Sequence, residues 1–168
     1  MKSVGFKAIE DKDARVLLLG SLPGRMSLQK GEYYGQPHNV FWPIMGTLAG
    51  ALPELPYQKR SLKLIQHHIA LWDVCAAGAR EGSLDSAIDM KTIETNDFAE
   101  FFRTHKQIRL ICFNGAKAAD IYIRRVLPGL PAEAQAIERR ILPSTSPAHA
   151  GMKFEMKLAH WRAALSSH

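Results

Sequence analysis

Three short, predominantly apolar runs, at residues 14–19, 69–75 and 108–113, constrain this chain more than any other feature. They are rich in Val, Ile and Leu and show no polar alternation, the pattern of strands buried on both faces. A shorter fourth strand is expected at 139–142. Between and after these runs lie stretches with helical spacing, at 41–52, 61–68, 98–105, 116–127 and 152–165. Pro43 is tolerable in a first turn, Asp97 is placed to cap the helix that follows it, and Pro128-Gly129 can close another. In 61–68, Leu62, Leu64 and Ile65 are expected to face the core. Strands alternating with helices predict a parallel sheet wound by right-handed crossovers. The expected fold is α/β, a three-layer sandwich around a central, mostly parallel four-stranded sheet, in a single domain covering 1–168.

In such sheets ligands bind beyond the carboxyl ends of the strands. Polar, glycine-punctuated segments follow Leu19, Cys75, Phe113 and Leu142, so four loops are expected to converge on one edge. The segment from Gly20 to Trp42 stands out. Pro23 and Gly24 supply a sharp turn, and the run to Trp42 is too polar and too interrupted for a regular element. It carries flat rings (Tyr33, Tyr34, His38, Phe41, Trp42) and one amide, Asn39, a set able to receive a planar heterocycle. Tyr33, Phe41 and Trp42 also read as core residues beside a helix start. Residues 76–86 are expected to form a loop on the far side of their strand.

An apolar content of 46% argues against disorder. No apolar run approaches the roughly 20 residues of a membrane-spanning helix. The polar segment 1–13 lacks a signal-peptide core, which predicts a cytoplasmic protein with no membrane association. Cys75 and Cys112 sit in apolar runs and read as buried free thiols. The formal charge of +6, from 22 basic and 16 acidic residues, suits an anionic partner such as nucleic acid.

No metal-ligand pattern is present: His67 and His68 are adjacent and cannot share a helix face, and His149 and His160 lie on separate elements. There is no G-x-G-x-x-G and no phosphate-loop lysine after Gly24. Ser21, Ser27 and Ser144 are possible nucleophiles, but none lies in a G-x-S-x-G elbow. The ring-lined loop fits base recognition better, since a flipped base needs a surface to stack on and an amide to read its edge. The serine-rich loop at 143–150 can hold a backbone phosphate through hydroxyls and main-chain amides.

Leu17-Leu18-Leu19-Gly20-Ser21-Leu22-Pro23-Gly24, followed by Tyr34-Gly35-Gln36-Pro37-His38-Asn39-Val40-Phe41-Trp42, resembles the first motif of the uracil-DNA glycosylase superfamily. Phe113-Asn114-Gly115-Ala116-Lys117 resembles a strand-end motif of its mismatch-specific uracil/thymine branch. Leu142-Pro143-Ser144-Thr145-Ser146 resembles that branch's second catalytic motif, the loop that pinches and wedges DNA. Two positions depart. Leu22 replaces the Asn or Asp that activates or positions water, and Leu142 replaces the histidine other branches carry. With Tyr33-Tyr34-Gly35 and Leu71-Trp72-Asp73-Val74, that combination resembles the hypoxanthine-DNA glycosylase branch.

The resemblance implies a monofunctional enzyme that removes deaminated adenine from double-stranded DNA and has little or no activity on uracil. It implies Asn39 as the catalytic amide, Tyr34 as the stacking ring, and Pro147 and His149 near the wedge. Ser21, Leu22, Tyr34, Asn39, Asn114 and Asp73 are expected around the base, and Ser144, Thr145 and Ser146 on phosphate. A monomer without cofactor or metal is expected. Asn114 reads equally as a base reader or as a helix cap, and Asp73 as an ionised partner of the site or as a group bonded to the following loop. The alternatives to this function are a mismatch-specific uracil or thymine glycosylase, a damaged-DNA binding module without catalysis, and, more distantly, a serine hydrolase.

Overall fold

The computed structural model describes residues 2–166. In chain order the elements are β1 (Lys2–Val4), β2 (Val16–Gly20), α1 (Arg25–Lys30), α2 (Phe41–Ala49), α3 (Tyr57–Gln66), β3 (Ile69–Asp73), β4 (Cys75–Arg80), β5 (Ile88–Thr95), α4 (Phe98–Thr104), β6 (Leu110–Asn114), α5 (Ala116–Ile121), α6 (Ala132–Gln135), β7 (Glu138–Leu142) and α7 (Phe154–Leu165). Helix α5 continues as a wider turn through Val126 and a tight turn to Gly129.

Strands β3, β2, β6 and β7 lie side by side in that order, every pair parallel. All five residues of β2 are buried. Its period of two divides them between two cores. Leu17 and Leu19 pack with Phe98, Phe101 and Phe102 of α4, Ala118 and Ile121 of α5, and Tyr122. Val16 and Leu18 pack with Phe41, Trp42 and Met45 of α2, Leu64 of α3 and Trp161 of α7. The result is the expected three-layer sandwich. Each fully buried Leu or Phe contributes about 1.5–3 kcal/mol, so both faces of the central strand hold the layers together.

Asp97 caps α4 as expected, its side chain accepting from the Glu100 N–H. Cys75 and Cys112 are buried and unpaired. Tyr33, Phe41 and Trp42 belong to the core. Leu64 is buried in α3, whereas Leu62, expected to face inward, is exposed.

Two segments expected to be irregular are ordered elements. Within the first strand-end segment, 25–30 forms helix α1, with Ser27 turned inward. Residues 76–86 are not a loop on the far side of their strand. Most of them build β4 and the turn into β5, in an antiparallel sheet ordered β1-β4-β5. Chain direction explains this second sheet. Val74 donates to the Gly20 carbonyl and Cys75 to the Ser21 carbonyl, which carries the backbone from β3 past the end of β2 and into β4. No helix among the described residues is long and apolar enough to cross a membrane.

Candidate active site

The register of the parallel sheet sets the site. Gly20 at the end of β2 pairs with Asp73 at the end of β3, and Asn114 at the end of β6 pairs with Leu142 at the end of β7. Four strand ends therefore open on one edge. A cavity of about 590 Å³ lies there, large enough for a nucleobase. Ser21, Leu22, Tyr34, Asn39, Asp73, Asn114, Ser144, Thr145, Ser146, Pro147 and His149 all line it. The structure brings together every site residue expected from the sequence.

Gly20 is needed for close approach. A Cβ there would sit 2.6 Å from Asp73 Oδ1 and 2.7 Å from the Tyr34 hydroxyl. The Tyr34 ring stacks on Phe41 with centroids 4.2 Å apart, so the core backs one of its faces. Asp73 is 4% exposed. Its side chain does not tie down the following loop. The Asp73 backbone carbonyl does so, accepting from Asn96 Nδ2 at 2.7 Å. Asp73 Oδ2 and the Tyr34 hydroxyl are both buried without a hydrogen-bond partner among the described residues. Burial, and then the Asp85 carboxylate, push the Asp73 carboxyl up to about 7, against the opposing pull of Arg80. Burial and then Asp73 hold the Tyr34 hydroxyl protonated, well above the ordinary phenol range, with the Asn114 amide pulling the other way.

Asn114 does not cap the helix that follows it. Its Nδ2 donates to Thr145 Oγ1 and its Oδ1 accepts from Thr145 N–H, each at 2.9 Å. Gly115, at φ +94°, takes the cap position, and a Cβ there would meet Ser144 Cβ at 3.2 Å. Thr145 is 1% exposed and its hydroxyl oxygen accepts from Asn114 Nδ2. Ser144 and Ser146 remain half-buried, their oxygens accepting from Ser146 N–H and Ala148 N–H and their own hydrogens free to donate. Pro147 and His149 are exposed at the rim. The Thr145 carbonyl accepts from Val40 N–H at 3.1 Å, which links this loop to Asn39. Asn39 Oδ1 accepts from Phe41 N–H at 2.9 Å and opens α2. Its Nδ2 hydrogens and one lone pair are left for chemistry.

The uracil DNA glycosylase superfamily profile matches residues 6–167. The chain belongs to the uracil DNA glycosylase superfamily. It is 41% identical over 146 residues to a Methanosarcina acetivorans protein named hypoxanthine DNA glycosylase, covering 86% of this chain and 87% of the relative. A Methanosarcina barkeri protein of the same name is 40% identical over 121 residues, covering 71% of this chain and 75% of its own length. A solution NMR structure from Methanosarcina acetivorans, provisionally named a uracil DNA glycosylase, superimposes with a TM-score of 0.80 at 37% identity, covering 99% of this chain and 98% of its own.

Within this superfamily member the positions of Leu22 and Leu142 are apolar and buried, at 6% and 5% exposure. Neither can hold a water. No serine candidate is hydrogen-bonded to a histidine: Ser21 Oγ donates to Asp85 at 2.6 Å, Ser27 Oγ accepts from Gly35 N–H, and Ser144 Oγ accepts from Ser146 N–H.

Sequence reasoning missed the contribution of the β4–β5 hairpin. Arg80 Nη2 donates to the Leu22 carbonyl at 2.7 Å and Nη1 to Asp85 at 3.1 Å. Ser83 Oγ accepts from Arg25 N–H. These bonds clamp the hairpin onto the turn at Ser21–Gly24. The signal was a weak alternation at Ile88 and Met90, which changes phase before Ile93.

Proposed function

We propose that this chain is a monofunctional, monomeric glycosylase that acts on double-stranded DNA, flips out deoxyinosine and hydrolyses its N-glycosidic bond, releasing hypoxanthine and leaving an abasic site. The two relatives named hypoxanthine DNA glycosylase support the substrate, matching over most of their length.

The observation that carries the reading is the pair of buried, unpartnered groups over Gly20. The Tyr34 hydroxyl is a donor kept protonated, and the Asp73 carboxylate is an acceptor. Hypoxanthine presents the matching edge, O6 as acceptor beside N1–H as donor. Adenine presents the reverse, N6–H beside an N1 lone pair. Leaving a buried donor or acceptor unpaired costs about 1–3 kcal/mol, so a base edge that pairs both regains that energy and adenine does not. Both atoms are closed to solvent, so engagement requires a small movement of the Tyr34 ring off Gly20.

Bond cleavage leaves an oxocarbenium-like sugar and a base that gains negative charge. Asn39 Nδ2 is a donor at the cavity wall, suited to that charge or to orienting the attacking water. A pocket without a lysine nucleophile gives hydrolysis and no Schiff-base lyase step.

The test is base release from duplexes carrying one hypoxanthine, one uracil or one G·T mismatch, each beside an undamaged adenine control. Hypoxanthine release without adenine release is expected. Efficient uracil or thymine release would assign the mismatch branch, and tight lesion binding without any release would assign a binding module.

A further inference from the structure

The turn between β4 and β5 fixes the backbone on both sides of one residue, Leu84. Ser83 Oγ accepts from the Arg25 N–H at 3.1 Å. Asp85 Oδ1 accepts from Ser21 Oγ at 2.6 Å and from Arg80 Nη1 at 3.1 Å. The Leu84 carbonyl itself accepts from the Ala87 N–H. With its neighbours bonded in this way, the Leu84 side chain is left 55% exposed. A lone leucine on a surface needs no explanation. This one lines the cavity, and among the described residues it is the large apolar side chain that both borders that space and stands open to solvent.

The rest of the turn narrows what it can do. Residues 81–86 contain no Lys or Arg and carry two carboxylates, Glu81 and Asp85. Arg80, at the root, is committed to the Leu22 carbonyl and to Asp85. Such a turn repels phosphate rather than gripping it. What it can offer a nucleic acid is an apolar contact. Extruding a nucleotide costs stacking energy and opens a gap between the flanking base pairs, and an inserted apolar side chain fills such a gap.

We propose that Leu84 is an insertion residue, entering the duplex stack where the extruded nucleotide leaves it. The proposal rests on the glycosylase reading of the cavity. It gives the antiparallel sheet a share in opening the duplex, separate from Pro147 and His149 on the loop after β7.

The test varies what extrusion costs. Single-turnover release of hypoxanthine by the full-length chain is measured on duplexes of one sequence, with the deoxyinosine opposite cytosine, opposite thymine or opposite an abasic site. Pairing is strongest in the first and absent in the last. Leu84→Ala is expected to slow release about tenfold or more opposite cytosine, less opposite thymine and least opposite the abasic site. Leu84→Gln, which keeps the length and loses the apolar end, should follow the same order, and Leu84→Met should stay close to wild type. A melting curve on each preparation accompanies the rates, and if Leu84→Ala does not fold the Gln variant carries the comparison. An equal loss on every duplex would make Leu84 a piece of the pocket wall or of the hairpin's stability, and no loss on any would make it a bystander. Either result overturns the proposal. Wild type that releases hypoxanthine from none of the duplexes would overturn the glycosylase reading itself.

Discussion

Asn114 and Thr145 hold each other by two reciprocal hydrogen bonds, each 2.9 Å long, across the ends of β6 and β7. The Thr145 carbonyl then takes the Val40 N–H, one residue after Asn39. The sheet edge, the loop after β7 and the ring-lined segment are thus one connected piece. Thr145→Val keeps the shape and removes the hydroxyl, leaving Asn114 Nδ2 unpaired at that position. A destabilisation of about 1–3 kcal/mol in urea unfolding is expected, with a loss of base release beyond the loss of folded protein.

Asp73 gives a pH prediction whose sign is fixed by its environment. Its folded carboxyl is raised to about 7 from 3.8, so between those values the folded chain binds more protons than the unfolded one. Stability from this group therefore falls as pH rises from about 4 to about 7. Asp73→Asn is expected to be more stable than wild type at pH 8, by an amount on the order of a few kcal/mol, and near-neutral at pH 4. Urea unfolding at the two pH values checks it.

The same carboxyl has to be ionised to accept a base N1–H, so hypoxanthine release should rise with pH through about 7. Arg80 favours the ionised form and Asp85 opposes it. Arg80→Met should move the midpoint up and Asp85→Asn should move it down, read from pH–rate profiles and from the Asp73 carboxyl resonance by NMR. Shifts in the same direction would remove these charges from the account.

Gly20→Ala should abolish base release while the strand remains paired. The added methyl would lie 2.6 Å from Asp73 Oδ1 and 2.7 Å from the Tyr34 hydroxyl, so one of the two must leave its place. Single-turnover release and a melting curve on the same preparation separate lost activity from lost folding.

Three strands of the sheet were legible because β2, β3 and β6 are buried on both faces and write themselves as apolar runs such as Val16 to Leu19. The site was legible as a set of loops at those strand ends. What escaped was structure supported by tertiary pairing. Cys75–Arg80 is made mostly of Ala and Gly, poor strand formers, and is held by antiparallel partners on both sides. Helix α1 lies between glycines in a polar stretch, and its inward-facing residue is Ser27, so no apolar stripe announced it. Asn114 could not be resolved from sequence, because one amide at a strand end suits a base edge, a cap or a loop lock equally well. Arg80 escaped for the related reason that its partners, Leu22 and Asp85, become neighbours only in the fold.

The most direct measurement compares hypoxanthine release from a single-lesion duplex by wild type and Asn39→Ala, under single-turnover conditions and with binding measured in parallel. The account predicts release by the wild type and a loss of about 10²–10³-fold in the variant, with duplex binding largely kept. Equal release by the two proteins, or none by the wild type, would contradict it.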